Sequence, residues 1–60
     1  MKEIGKIRSE LSWIHTFRLM AIEAVDMRDS IMLRNKLKSI ERKIAVIRYI
    51  LDHQEETEEK

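Results

Sequence analysis

The fold follows from the stretch Leu33 to Leu51, which reads LRNKLKSIERKIAVIRYIL. Its apolar residues recur at alternating intervals of four and three positions. That spacing is typical of one face of an α-helix that packs lengthwise against another helix. The members of this row are Leu33, Leu37, Ile40, Ile44, Ile47 and Leu51. The stretch therefore predicts a long amphipathic helix with a partner helix along its length.

A second apolar row with the same spacing precedes the first. It comprises Ile4, Ile7, Leu11, Ile14, Ala21 and Val25, and Arg18 interrupts it. The chain contains no proline and a single glycine, Gly5, so the turn residues that strands require are missing. The sequence predicts an all-α fold, with a first helix over about 2–25 and a second over about 31–53.

The residues between the rows decide whether they form one helix or two. Within 26–30, Asp26, Asp29 and Ser30 are all favourable N-cap residues. One continuous helix is the alternative, because this segment has neither glycine nor proline, but the two rows would then lie on different faces. We predict a turn at 26–30 and an antiparallel hairpin in which the rows face each other. Arg18 would then face Ile40, with its stem snorkelling out or its charge paired with an acid of another subunit.

The size of the chain points to self-association. A chain of 60 residues buries only about 60% of its unfolded surface and usually needs disulfides, a metal or a partner subunit. There is no cysteine, which excludes disulfides and thiolate metal sites and suits a reducing cytoplasm. No apolar run is long enough to span a membrane. We expect a cytoplasmic protein that makes no membrane contact.

Apolar residues outside the two rows predict a further contact surface. This surface comprises Trp13, Phe17, Met20, Ala24, Val46 and Ile50. Such a patch exceeds what soluble monomers normally expose. We predict that it closes two hairpins into a homodimeric four-helix bundle or binds a different protein, with Trp13 and Phe17 as anchors.

Charge is unevenly distributed along the second helix. Arg34, Lys38, Arg42 and Lys43 are candidate contacts for phosphate groups or for an acidic protein. The following residues 54–60 are polar and acidic, and we predict that they form a disordered tail. No aromatic residue interleaves the basic ones in sequence, which disfavours stacking on single-stranded bases.

The sequence offers no constellation for catalysis. His15 and His53 are the only histidines, and neither an acid nor a histidine lies three or four residues after His15. There is no glycine-rich phosphate loop and no local grouping of serine, histidine and acid. We predict no catalytic residue, no metal, no cofactor and no small-molecule substrate, and therefore no enzymatic activity.

These patterns favour a small regulatory or adaptor protein. It would act by protein–protein interaction through an apolar face of a homodimeric helical hairpin. The alternative is an RNA- or DNA-binding hairpin dimer that uses the basic face of the second helix. A third interpretation, an assembly domain of a longer protein, is disfavoured by the initial Met1 and the polar end of the chain.

Overall fold

Two packed helices account for the fold. The computed structural model describes the backbone of residues 3–58 and the surroundings of side chains 3–53. Helix α1 spans Ile4–Asp26 and helix α2 spans Ser30–Glu58. Only three residues connect them, and the two helices pack along each other. The chain therefore reverses its direction in the connection, and the helices are antiparallel. The predicted all-α fold of two helices packed as a hairpin is confirmed. The molecule measures 50 × 16 × 10 Å, so the hairpin is one helix thick.

Backbone hydrogen bonds close the end of α1. The amide of Asp29 donates to the carbonyl of Ala24 at 2.9 Å, and the amide of Arg28 donates to the carbonyl of Val25 at 3.0 Å. This pair of bonds is a Schellman motif, which requires a left-handed residue after the helix and usually uses glycine there. Here Arg28 takes that place, with φ of 57°.

The start of α2 is capped by Asp29. Its Oδ1 accepts a hydrogen bond from the amide of Met32 at 3.0 Å, and its carbonyl accepts one from the amide of Leu33 at 3.0 Å. Of the three cap residues expected from sequence, Asp26 ends α1 and Ser30 opens α2. One short side chain therefore ends the turn and starts the second helix.

Helix α2 is longer than the sequence predicted. It continues through Glu58, five residues beyond the expected end at His53. Glutamine and glutamate are good helix formers, and each residue added to an existing helix gains one backbone hydrogen bond. The tail predicted to be disordered over 54–60 is thus helical up to Glu58. The side chains of 54–58 and all of residues 59–60 lie outside the described part.

The contact between the helices has a small core. Ala24 is completely enclosed, and Ala21 and Ile50 are also buried. Larger side chains along the contact are only half-buried, namely Ile7, Ile14, Phe17, Leu33, Ile40 and Ile47. Small residues at the centre of the contact let the two backbones approach closely, but they remove little apolar surface from water.

Part of the predicted interface is wrong. Leu11, Val25, Leu37 and Ile44 were expected between the helices, yet they expose 51%, 57%, 46% and 39% of their surface. Each belongs to a predicted row and lies on the side of the hairpin instead. The rows identify the helices correctly, but only part of each row faces the other helix.

A small rotation of both helices explains the difference. On α1 the preceding residue faces α2 only at alternate positions, so Phe17 replaces Arg18 and Ala24 replaces Val25, whereas Ile7, Ile14 and Ala21 keep their expected places. Because alternate members are kept, the rotation is about half of the 100° that separates consecutive residues. The predicted arrangement would have placed the charge of Arg18 against Ile40, at a cost in desolvation. In the structure Arg18 is exposed, and the mismatch does not arise.

The left-handed conformation of Arg28 generates a stability prediction. We expect Arg28→Gly to raise the free energy of unfolding by roughly 0.5–1 kcal/mol, because glycine has no Cβ to strain at positive φ. Chemical denaturation at one fixed protein concentration measures the change. Arg28→Ala is the control, since it removes the charge but keeps the Cβ. An equal gain from alanine would show that the charge of Arg28, and not its backbone strain, is responsible.

Candidate functional site

A buried acid lies in the helix contact. Glu10 is 4% exposed and is the only buried charged side chain among residues 3–53. Its Oε2 lies 3.1 Å from Nζ of Lys6, one turn earlier on α1. Its Oε1 lies 3.2 Å from Nζ of Lys43 on α2. The carboxylate therefore joins the two helices through an ion pair at a position where a core residue would normally lie.

The two ammonium groups keep Glu10 ionised. The hydrogen bond from Lys6 is the main cause that lowers the pKa of Glu10 below its ordinary value, and Lys43 adds to this effect. Burial acts in the opposite direction and offsets only part of the shift. At neutral pH the group is thus a fixed negative charge between two positive charges.

Aromatic rings of α1 continue this polar contact along the hairpin. The ammonium of Lys43 lies over the ring of Trp13, 5.8 Å from its centroid. Trp13 stacks on Phe17 with centroids 5.6 Å apart, and the ammonium of Lys36 lies 5.8 Å from the Phe17 centroid. Cations at this distance are attracted to the electron-rich ring face. Charged and aromatic side chains that are far apart in sequence therefore alternate on one side of the molecule.

This side of the hairpin contains a shallow cleft of about 220 Å³. It is lined by Phe17 from α1 and by Ser39, Arg42, Lys43 and Val46 from α2. We call it the aromatic cleft. Folding has placed basic and aromatic side chains together here, although no aromatic residue interleaves the basic ones in the sequence.

The opposite side carries an aliphatic face, which we define as Leu11, Ile22, Val25, Leu37 and Ile44. Each of these residues follows a residue of the helix contact by one position. Antiparallel helices that face each other turn in opposite senses when viewed from one end. The next residue on either helix therefore points to the same side of the pair. All five side chains are between 39% and 57% exposed.

The structure divides the predicted interface residues into two groups. Ala24 and Ile50 are enclosed by the hairpin itself, so they offer no surface to a partner. Trp13 and Val46 are 49% and 36% exposed, and Phe17 and Met20 are half-buried. Phe17 and Val46 line the aromatic cleft, and Trp13 stacks on Phe17. Their role in binding stays a prediction.

The four basic residues predicted to contact a partner also fall into two groups. Lys43 points into the helix contact, where Glu10 and Trp13 hold it. Arg34, Lys38 and Arg42 are exposed, at intervals of four residues along the outer side of α2. Of these three, Arg42 alone lines the aromatic cleft.

Sequence reasoning missed the central role of Glu10 and the aliphatic face. The signal for both was Arg18, whose charge interrupts the first apolar row. Moving alternate members of the row back by one residue removes that charge from the contact and introduces Glu10. The spacing of Lys6 and Glu10, four residues apart on a helix, also indicates an ion pair.

The described residues offer little for ligand chemistry. In residues 3–53, no three or more His, Cys, Asp or Glu side chains come close enough to hold a metal ion. Within the described chain, neither helix combines the length and the apolarity that crossing a membrane requires.

The lowered pKa of Glu10 generates a prediction of pH dependence. The ionised form is favoured in the folded state, so its contribution to stability is present above the ordinary value near 4.5 and is lost as pH falls through the lower folded value. We expect the melting temperature to fall below about pH 4.5, and to fall less in Glu10→Gln. Thermal unfolding followed by circular dichroism between pH 6 and pH 3 measures this.

The control is Glu23→Gln, which changes an exposed acid of the same helix. We expect its melting temperature to follow the wild-type dependence on pH. The interpretation fails if Glu10→Gln and wild type lose the same number of degrees over this range.

Comparison with known proteins adds no family. No protein-family model matches the chain, and neither a curated protein nor a solved structure matches it. The assignment of function therefore depends on the surfaces described above.

Proposed function

We propose that this chain is a non-enzymatic regulatory or adaptor protein that acts by protein–protein interaction. Two hairpins associate through their aliphatic faces into a homodimeric four-helix bundle, and the dimer binds a further protein. The exposure of the aliphatic face across both helices carries the proposal, because a surface of this kind is unfavourable in water. The cytoplasmic location stays a prediction from the sequence.

The exposed area supports association. A compact protein of this mass exposes roughly 4,100 Å², whereas this hairpin exposes 5030 Å². The aliphatic face, together with the adjacent Ile4, exposes on the order of 500 Å² per chain and ~1,000 Å² per pair, which is close to the minimum expected of a biological interface. The lack of any large, fully buried side chain in the described region is further support.

Charges within the aliphatic face favour one arrangement of the dimer. Phe17 of α1 lines the same cleft as Ser39 and Arg42 of α2, so these residues lie at one level along the hairpin. Arg18 directly follows Phe17, and Glu41 lies between Ser39 and Arg42 in the sequence. Arg18 and Glu41 are therefore at the same height along the hairpin. A two-fold axis parallel to the helices places α1 of one copy on α2 of the other and brings Arg18 opposite the partner's Glu41. This supplies the acid of another subunit that the sequence suggested for Arg18.

The nucleic-acid alternative receives less support. Lys43 is engaged by Glu10, so the outer side of α2 retains only three of the four basic residues predicted for it. Binding to phosphates would depend on Arg34, Lys38 and Arg42. Salt-sensitive binding of duplex or hairpin RNA by the wild-type chain, lost on changing these three residues to Glu, would favour that alternative.

Dimerisation through the aliphatic face predicts the effect of a charge placed there. We expect Leu37→Asp to convert the dimer into a monomer, with at least a hundredfold weaker association, because two buried carboxylates would be desolvated without partners. Sedimentation equilibrium over a range of concentrations measures the dissociation constant. Ile31→Asp is the matched control, since Ile31 is 73% exposed on the same helix outside this face. A wild-type chain that sediments as a monomer would refute the proposal.

The pairing of Arg18 with Glu41 predicts a charge-exchange result. We expect Arg18→Glu and Glu41→Arg each to weaken the homodimer, because each places like charges opposite each other. An equimolar mixture of the two variants should form a heterodimer, because both charge pairs across its interface are then of opposite sign. One pair has the wild-type orientation, and in the other the acid and the base have exchanged places. Sedimentation of the separate variants and of the mixture compares the three states. Equal self-association of both variants and the mixture would refute this arrangement of the dimer.

A further inference from the structure

We propose that the aromatic cleft binds an acidic amphipathic helix of a partner protein. This inference depends on the proposed function, because it names the partner class that the interaction protein would recognise. The cleft lies on the opposite side of the hairpin from the aliphatic face. Each dimer would therefore present two such clefts, one on either outer side.

Apolar contacts in the cleft suit one face of a helix. Phe17 and Val46 line the cleft, and Trp13 stacks on Phe17 beside it with 49% of its surface exposed. Aromatic residues that are partly exposed and held by neighbours are frequent anchors in protein interfaces. The groove runs between two helices, and an amphipathic helix fills such a groove with apolar residues three and four positions apart.

Charge around the cleft selects an acidic partner. Lys43 lines it but is paired with Glu10, so the charge offered to a partner comes from Arg42, which also lines the cleft, and from Lys36, whose ammonium lies over the aromatic floor at Phe17. The acid that contacts the basic side chains of the cleft is Glu10, which is buried and already paired with Lys6 and Lys43. Arg42 is exposed and carries a planar guanidinium that matches a carboxylate in geometry. The cleft thus has a positive rim around an apolar floor.

The same contacts disfavour a single-stranded nucleic acid. Base stacking requires a free aromatic face. Phe17 stacks against Trp13, and the ammonium of Lys43 lies over the Trp13 ring. Trp13 still exposes 49% of its surface for contact with aliphatic side chains, which suits a peptide better than a nucleobase.

Fluorescence titration of the full chain tests the proposal, because Trp13 is the only tryptophan. The probe is a synthetic helix of about 18 residues without tryptophan, with leucines along one face and glutamates flanking them. We expect saturable binding with a blue shift of Trp13 emission, one peptide per chain, and at least tenfold weaker binding when the glutamates are replaced by glutamine. Absence of a saturable signal at low salt would overturn the proposal.

Two matched variants locate the site. Arg42→Glu reverses a charge that lines the cleft, and Lys38→Glu makes the same reversal one turn away, outside the cleft. Both residues are exposed, so neither change should disturb the fold. We expect Arg42→Glu to weaken peptide binding at least tenfold and Lys38→Glu to weaken it less than threefold. Equal effects would mean attraction by the general charge of α2 and would overturn the proposal.

Other occupants of the cleft give different results. Tighter binding of a uridine 12-mer than of the peptide, with the same dependence on Arg42, would overturn the proposal in favour of nucleic acid. Assemblies larger than the dimer that Arg42→Glu dissolves would overturn it in favour of the acidic end of another copy. Peptide binding by the monomeric Leu37→Asp variant would support the cleft independently of dimerisation. A wild-type dimer that ignores the peptide would remove this inference alone.

Discussion

Two helices that touch along a single line can enclose few large side chains, and this constraint shapes the whole hairpin. Close contact requires small residues at the centre, which are Ala21 and Ala24 on α1. Larger apolar residues on either side of the contact are left partly in water. The surfaces available for binding are thus a direct consequence of having only two helices in one chain.

The ion pair between Glu10 and Lys43 fits only one choice of the helix sides that meet. A buried carboxylate is costly unless charges of opposite sign surround it. Lys6 can pair with Glu10 in any orientation of α1, but Lys43 meets this need only when Glu10 faces α2, and the rings of Trp13 and Phe17 then lie under the ammonium groups of Lys43 and Lys36. A polar contact that is satisfied in one orientation favours that orientation over its neighbours.

This orientation gives the hairpin two unlike sides. One is aliphatic and extends over both helices, which suits a second copy of the same surface. The other combines aromatic floor and basic rim, which suits a partner of different composition. Under the proposed function, separate surfaces for self-association and for recognition would allow a very small chain to assemble and to bind at the same time. The Schellman turn at Arg28 and the cap at Asp29 support both surfaces, because they fix where α2 begins relative to the end of α1.

The sequence by itself determined the two helices and the turn between them. Apolar spacing and the N-cap at Asp29 are local properties, and local hydrogen bonding and helix propensity decide them. The sequence did not determine the rotation of α1, because two adjacent rows of residues both satisfy the helical period. Tertiary structure decided between them: Ala24 fits where Val25 was expected, and Glu10 finds Lys43 on the other helix. The length of α2 was also underestimated, since helix propagation past His53 needs no apolar contact.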